Sequence, residues 1–410
     1  MNSVTTRREF TALAGAGLAA AEFAAGKPGT PPKRIAAVVT EYRHNSHADV
    51  IIGKYLEGFR QDGRPPGPRS KIVSLHTAQV PKNDMSREMA AKHHVPIYPT
   101  IWETLTLGAD RLAVDGVLLI GEHGQYPWNE KGQHLYPRFE MFLEIADVFR
   151  ATGKSVPVFN DKHLSYSWLK ARRMVEIARE LNFPLMAGSS IPVAYRPAGV
   201  DLDWGAKASH AVSIFYGDPD SYGFHLLEGL QCMVERRRNG ETGVKAAQYI
   251  EKQAMWDWVS RTAWAEKLLN AAMAQAIHRT PGNIRELGKD AYAYRVEYLD
   301  GLEAAAFMIN GVAKDAATAV EVEGRAEPVA TLMWLEEDRP FQHFACLVQA
   351  VEKMFETGRP AYPVERTLLT SGILEAIINS KFEKGRRVET PHLRVNYTAP
   401  REGSFCKAKL

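Results

Sequence analysis

The sequence predicts two domains, an α/β unit on a parallel sheet and then an α+β unit on a largely antiparallel open sheet. Three observations predict them. The chain has 410 residues, more than the roughly 250–300 at which single cores stop growing. Up to Gly188, short apolar runs alternate with segments of helical period, the pattern of parallel strands joined by crossover helices. Beyond Gly188 the alternation stops and a hairpin signal appears.

The first domain is read over 34–190. Arg34-Ile35-Ala36-Ala37-Val38-Val39-Thr40 is a short apolar run, hence a buried parallel strand. A helix is expected over 47–59, a second strand at 71–75, a helix over 86–93 and a short third strand at 96–98. Val117-Leu118-Leu119-Ile120 carries the clearest strand. An amphipathic helix is expected over 134–152, stopped by Gly153. The next strand is 156–159, where Pro157 points to an edge or irregular position. A helix over 167–181 and a strand at 184–188 complete the unit.

The second domain is read over 191–390. Its elements are a strand at 208–215, a helix over 222–238, and two strands flanking Leu299-Asp300-Gly301-Leu302, where Asp-Gly marks a hairpin. A strand follows at 329–335, then helices over 342–356 and 364–384, the last free to pack back on the first domain. Residues 256–277 read as an added helical segment. The tail is 391–410.

Residues 1–26 are read as a removable signal and 27–33 as a Pro/Gly linker. Thr6-Arg7-Arg8-Glu9-Phe10 precedes a short, weakly apolar run and then small residues, the layout of a twin-arginine export signal. The run is too short for a permanent anchor, which needs about 20 residues. The expected location is therefore periplasmic.

Composition excludes some functions. Net charge is +3, and no basic stripe interleaved with aromatics appears, so nucleic acid is not an expected partner. The three cysteines, Cys232, Cys346 and Cys406, are far apart with no CxxC spacing, which speaks against a disulfide framework or a cysteine zinc site.

Four ordered segments carry a resemblance. They are Val117 to Ile120; Asn160-Asp161-Lys162-His163-Leu164 with the helix and strand after it; Gly223-Phe224-His225-Leu226-Leu227-Glu228; and Gly358-Arg359-Pro360 with Pro363-Val364-Glu365, Ser380 and Gly385-Arg386-Arg387-Val388. Together they resemble the Gfo/Idh/MocA family, the oxidoreductases related to glucose–fructose oxidoreductase and inositol dehydrogenase. The resemblance implies a Rossmann-like first domain, NAD or NADP as cofactor, a carbohydrate or polyol as substrate, and homo-oligomers formed on the open sheet face.

Carried residue by residue, the resemblance makes Lys162 and His225 catalytic. A lysine in an enclosed site can steady a developing alkoxide, and a histidine can take the hydroxyl proton. The segments around them supply candidate substrate contacts, Asp161, His163, Ser221, Tyr222 and Glu228. The family's Glu and Pro beside the lysine are replaced by Asp161 and His163, and its first Asp falls on Ser221. Candidate cofactor contacts are Thr40, Tyr42 and Arg43 after the first strand, and Glu122 and His123 after the clearest one. The loop at 40–47 has no glycine, and His76-Thr77-Ala78-Gln79 lacks the acidic residue that would hold a ribose.

Glu122, His123, Asp161, His163 and His225 include donors that suit zinc or manganese. No local spacing such as HxxxH supports this, and a hydrogen-bonded network around a sugar is preferred; no metal is predicted. The favoured function is an exported NAD(P)-dependent sugar, polyol or glycoside oxidoreductase. The alternatives are a cofactor-poor relative acting as a metal-assisted lyase or epimerase, and a non-catalytic sugar-binding protein.

Overall fold

The computed structural model describes residues 31–59 and 67–407. The export signal expected at 1–26 lies outside the described residues. Residues 31–407 belong to one compact unit.

The first sheet is made of β1 (Arg34–Val39), β2 (Lys71–Thr77), β3 (Gly116–Ile120), β4 (Val158–Asp161) and β5 (Leu185–Gly188). Its order is β2-β1-β3-β4-β5 and every pairing is parallel. Five crossover-side helices accompany it: α1 (His47–Glu57), α2 (Ser86–Lys92), α3 (Ile101–Thr106), α4 (Arg138–Thr152) and α5 (Trp168–Glu180). All five residues of β3 are buried, which explains why its sequence is apolar throughout rather than alternating.

The second sheet interleaves strands and helices in the order β6 (Ala208–Phe215), α6 (Ser221–Val234), β7 (Val244–Glu251), α7 (Lys252–Arg261), α8 (Ala263–Gln275), α9 (Ile284–Leu287), β8 (Tyr292–Tyr298), β9 (Glu303–Met308), β10 (Ala316–Val322) and β11 (Val329–Met333). After these come α10 (Gln342–Thr357), α11 (Val364–Phe382) and β12 (Val388–Glu389). The strand order is β11-β10-β6-β9-β8-β7-β12, antiparallel except where β6 meets β9.

Three local expectations change. Residues 96–98 form no strand; Ile97 makes a single parallel bridge to Leu75. Pro157 does not mark an edge, because β4 lies between β3 and β5. It stands just before the strand, where no ladder N–H is needed, and its carbonyl accepts from Val117 N at 3.0 Å. The helix expected from residue 134 starts at Arg138, after Pro137, so 134–137 belong to the loop that follows β3. Strands β7 and β10 and helix α3 carried no sequence signal strong enough to be read.

One core runs from a face of the first sheet, through α4, α5, α6 and α11, to the inner face of the second sheet. A second core fills the other face of the first sheet against α1, α2 and α10. A third lies on the outer face of the second sheet under α7 and α8. That outer face is therefore not open.

Candidate active site

Parallel strands send all their following loops to one edge, and ligands bind there in such sheets. The loops after β1, β3, β4 and β5 gather at that edge with the start of α6 and the segment before α10. They enclose a cavity of about 870 Å³.

At its floor, Lys162 Nζ lies 2.9 Å from Glu122 Oε1, and Arg138 Nη2 donates to Glu122 Oε2 at 2.5 Å. Burial alone would raise the Glu122 carboxyl, but Lys162 and Arg138 hold it well below the usual carboxylate range. The carboxylate therefore stays ionised and fixes both cations. Arg138 Nη1 also donates to His163 Nε2 at 3.3 Å. Burial, then Arg138, pushes the His163 pKa far down, so that ring is neutral.

Lys162 and His123 both occupy left-handed backbone, at φ 63° and 68°. For a residue with a side chain this conformation is costly and persists where surrounding contacts enforce it. Lys162 N donates to Gly188 O at 3.1 Å, tying the turn after β4 to the end of β5.

His225 enters from α6. Its Nδ1 is 2.6 Å from Ser189 Oγ, on the loop after β5. Burial first, then the charges of Lys162 and His47, lowers the His225 pKa well below 6.5. A neutral His225 that gives its Nδ1 proton to Ser189 Oγ keeps the Nε2 lone pair free, the form a base needs. Ser189 N also donates to Glu228 Oε2 at 3.4 Å, and Thr370 Oγ1 donates to Glu228 Oε1 at 2.7 Å. Glu228 sits one layer behind the cavity.

His47 begins α1 and crosses the crevice. Its Nδ1 donates to Asp161 Oδ2 at 2.6 Å, and its ring centroid is 6.1 Å from those of both His123 and His225. From the first turn of α10, His343 and Phe344 complete the wall.

The cavity thus brings together Lys162, His225, Arg43, Glu122, His123, His163, Ser221 and Tyr222. Other candidates lie outside it. Thr40 Oγ1 donates to Glu122 O at 2.7 Å and shapes the loop from beneath. Tyr42 is fully buried in the core beside α1. Asp161 reaches the cavity only through His47. Ser221, which does line the cavity, donates its hydroxyl to Asp218 Oδ2 at 2.7 Å, a contact that closes the first turn of α6.

Sequence reasoning missed His47, Arg138 and Ser189 as site residues. His47 follows the Ser46 cap of α1, so its place at the edge could have been inferred. Ser189 directly follows a parallel strand, which is also a usable signal. Arg138 gave none, being one charge in a segment read as an amphipathic helix. Among the described residues no group of three or more His, Cys, Asp or Glu side chains is arranged to hold a metal ion.

This arrangement can be compared with known proteins. No protein-family model and no curated protein matches the chain. Solved structures do. GenD2 from gentamicin A biosynthesis, in complex with NAD, superposes with a TM-score of 0.57 at 13% identity, over 89% of this chain and 98% of its own. Myo-inositol 2-dehydrogenase from Lactobacillus plantarum gives 0.52 at 10% identity, over 87% and 99%. The WlbA dehydrogenase from Bordetella pertussis, in complex with NADH and UDP-GlcNAcA, gives 0.50 at 12% identity, over 88% and 98%. The chain shares their two-domain fold.

GenD2 and WlbA hold NAD and NADH in this fold, and in this chain the polar groups that could meet such a dinucleotide stand at the nicotinamide and diphosphate end. Arg43, Asn45 and His47 line the cavity, and the Arg43 guanidinium is paired through Nε with Glu41 Oε1 at 3.1 Å. His123 Nδ1 accepts from Arg43 Nη2 at 3.0 Å, and its Nε2 is buried without a partner. The adenosine end has no such grip. Gln79, after β2, is joined to the backbone of Gln125 by hydrogen bonds of 2.7 and 3.1 Å that span the loops.

Proposed function

We propose that the chain is a Gfo/Idh/MocA-like oxidoreductase of a sugar, polyol or glycoside, using NAD or NADP and exported by the twin-arginine route. One observation carries the reading: in a dehydrogenase fold, Lys162 and His225 come from separate loops and helices to line the same cavity. The polar, histidine-rich wall suits a molecule bearing many hydroxyls.

The bound nicotinamide would supply the hydride acceptor. The chain's own residues do the rest. His225 Nε2 takes the proton of the reacting hydroxyl, and Ser189 holds the ring in the required tautomer. Lys162, itself fixed by Glu122, meets the charge that develops on the oxygen. Arg43, oriented by His123, would hold the phosphate end of the cofactor, and Tyr222 and His163 would flank the substrate.

A second reading is proton transfer at a sugar carbon without hydride transfer. The contacts His47–Asp161 and Gln79 to the Gln125 backbone, which tie the crevice loops to one another, favour it. Native mass spectrometry of the purified protein, followed by titration with NAD and NADP, separates the two. Bound dinucleotide and its reduction by sugars or inositols support the oxidoreductase. No dinucleotide binding, together with deuterium uptake from heavy water at a sugar carbon, overturns it in favour of the second. Replacing Arg7 and Arg8 with lysine tests export, which fails as a reading if the protein still leaves the cytoplasm.

A further inference from the structure

The loop between β3 and α4 carries more aromatic surface than its fold requires. Trp128 is 62% exposed, yet its ring is not loose: it stacks on His134 with centroids 4.2 Å apart and planes 17° from parallel. His134 in turn lies 4.1 Å from Tyr136, and Arg138 caps the Tyr136 ring at 5.0 Å. This column runs from the rim of the cavity to the arginine that holds Glu122.

The loop is firmly built. Trp128 and His134 form an antiparallel bridge, and Asn129 N donates to Gln133 O at 3.0 Å. His134 Nε2 donates to Tyr126 O at 3.0 Å, and Lys131 Nζ reaches Asn379 Oδ1 at 2.7 Å. Next to the column, Asp220 lines the cavity while only 7% exposed. Its Oδ2 accepts from His134 N, whereas Oδ1 is buried with no partner. Trp128 lines the cavity as well as stacking on His134, so its free face is offered to whatever fills the cavity.

We propose that Trp128, His134 and Tyr136 form a platform for a second sugar ring, so that the substrate is a glycoside rather than a free monosaccharide. This rests on the carbohydrate reading above. The C–H face of the second ring covers the exposed face of Trp128. A cavity of about 870 Å³ is in the range of about 300–1,000 Å³ that holds ligands far larger than one sugar ring.

Calorimetric titration tests the platform with glucose, galactose and myo-inositol against maltose, cellobiose, lactose and phenyl glucoside, on the wild type, Trp128→Ala and Trp128→Phe. The expected result is that a disaccharide binds about tenfold more tightly than its monosaccharide, that Trp128→Ala removes the difference, and that Trp128→Phe keeps most of it. If sugars bind but the preference is absent, or survives in Trp128→Ala, the platform is overturned and the enzyme assignment stands. A preference for phenyl glucoside alone overturns the sugar as occupant. Failure of the wild type to bind any of these compounds overturns the carbohydrate reading and the platform together.

Discussion

Glu122 serves two cations with one carboxylate, and its removal leaves both Lys162 and Arg138 buried without their partner. Breaking a buried pair from one side costs about 3–5 kcal/mol. Glu122→Gln should lower the denaturant midpoint accordingly; an unchanged midpoint would mean that Lys162 and Arg138 find other partners. His225→Asn should leave the fold intact, since the ring borders a cavity, and reduce turnover about 10²–10⁴-fold, the usual contribution of a positioned proton-transfer group. Undiminished turnover would remove His225 from the chemistry. Glu228 behaves oppositely to Glu122. Burial lifts its carboxyl from 4.5 to about 7, against the pull of Arg366 and Thr370. The folded state therefore holds this proton more tightly than the unfolded chain does. Its stabilising effect is full below about pH 4.5 and is lost as pH rises to about 7. Glu228→Gln cannot lose a proton, so relative to the wild type it should gain up to about 3 kcal/mol between pH 4.5 and 8. Equal pH profiles for the two in chemical denaturation would show that Glu228 keeps an ordinary pKa.

At the scale of elements, α11 decides how the site is backed. It packs on α5, α6 and β7, and it sends Thr367 Oγ1 to Ala187 O at 2.8 Å and Thr370 to Glu228. Two glycines permit this closeness. A Cβ on Gly188 would lie 2.5 Å from Glu228 Oε2, on a backbone at φ 132° that side chains rarely adopt. A Cβ on Gly372, within α11, would lie 2.4 Å from Leu393 and 2.8 Å from Trp168. Gly372→Ala should therefore destabilise the protein by about 1–3 kcal/mol, the usual cost of overpacking, despite the better helix propensity of alanine. Thermal or chemical denaturation showing a gain in stability would mean that α11 can shift away from the tail.

For the whole molecule, α7 and α8 change the expectation of association. That expectation rested on an open outer face of the second sheet, and the structure covers this face with Met255, Trp256, Val259, Leu268, Leu269 and Ala272 from the chain itself. The surface turned outward carries Lys252, Gln253, Asp257, Arg261, Glu266 and Lys267 instead. If the chain associates as the resemblance implies, the interface is a face other than the one α7 and α8 cover; light scattering at micromolar concentration should then show an oligomer, and a clean monomer would remove the expectation. Among the described residues no helix is long and apolar enough to cross a membrane.

The sequence by itself determined the two sheets, because buried parallel strands must be apolar throughout and an Asp-Gly turn must close a hairpin. The family resemblance, rather than any local pattern, pointed to Lys162 and His225, and the structure places both on one cavity. Strands such as β10, Ala-rich and without alternation, were illegible because their burial comes from neighbours distant in the chain. Tertiary structure alone decided that Arg138 and Glu122 would meet, that His47 would reach Asp161 across 114 positions, and that Tyr42 would turn into the core. It also decided that an added pair of helices would cover the second sheet. Each of these depends on which surfaces pack together, a property of contacts between remote segments that no local pattern of residues encodes.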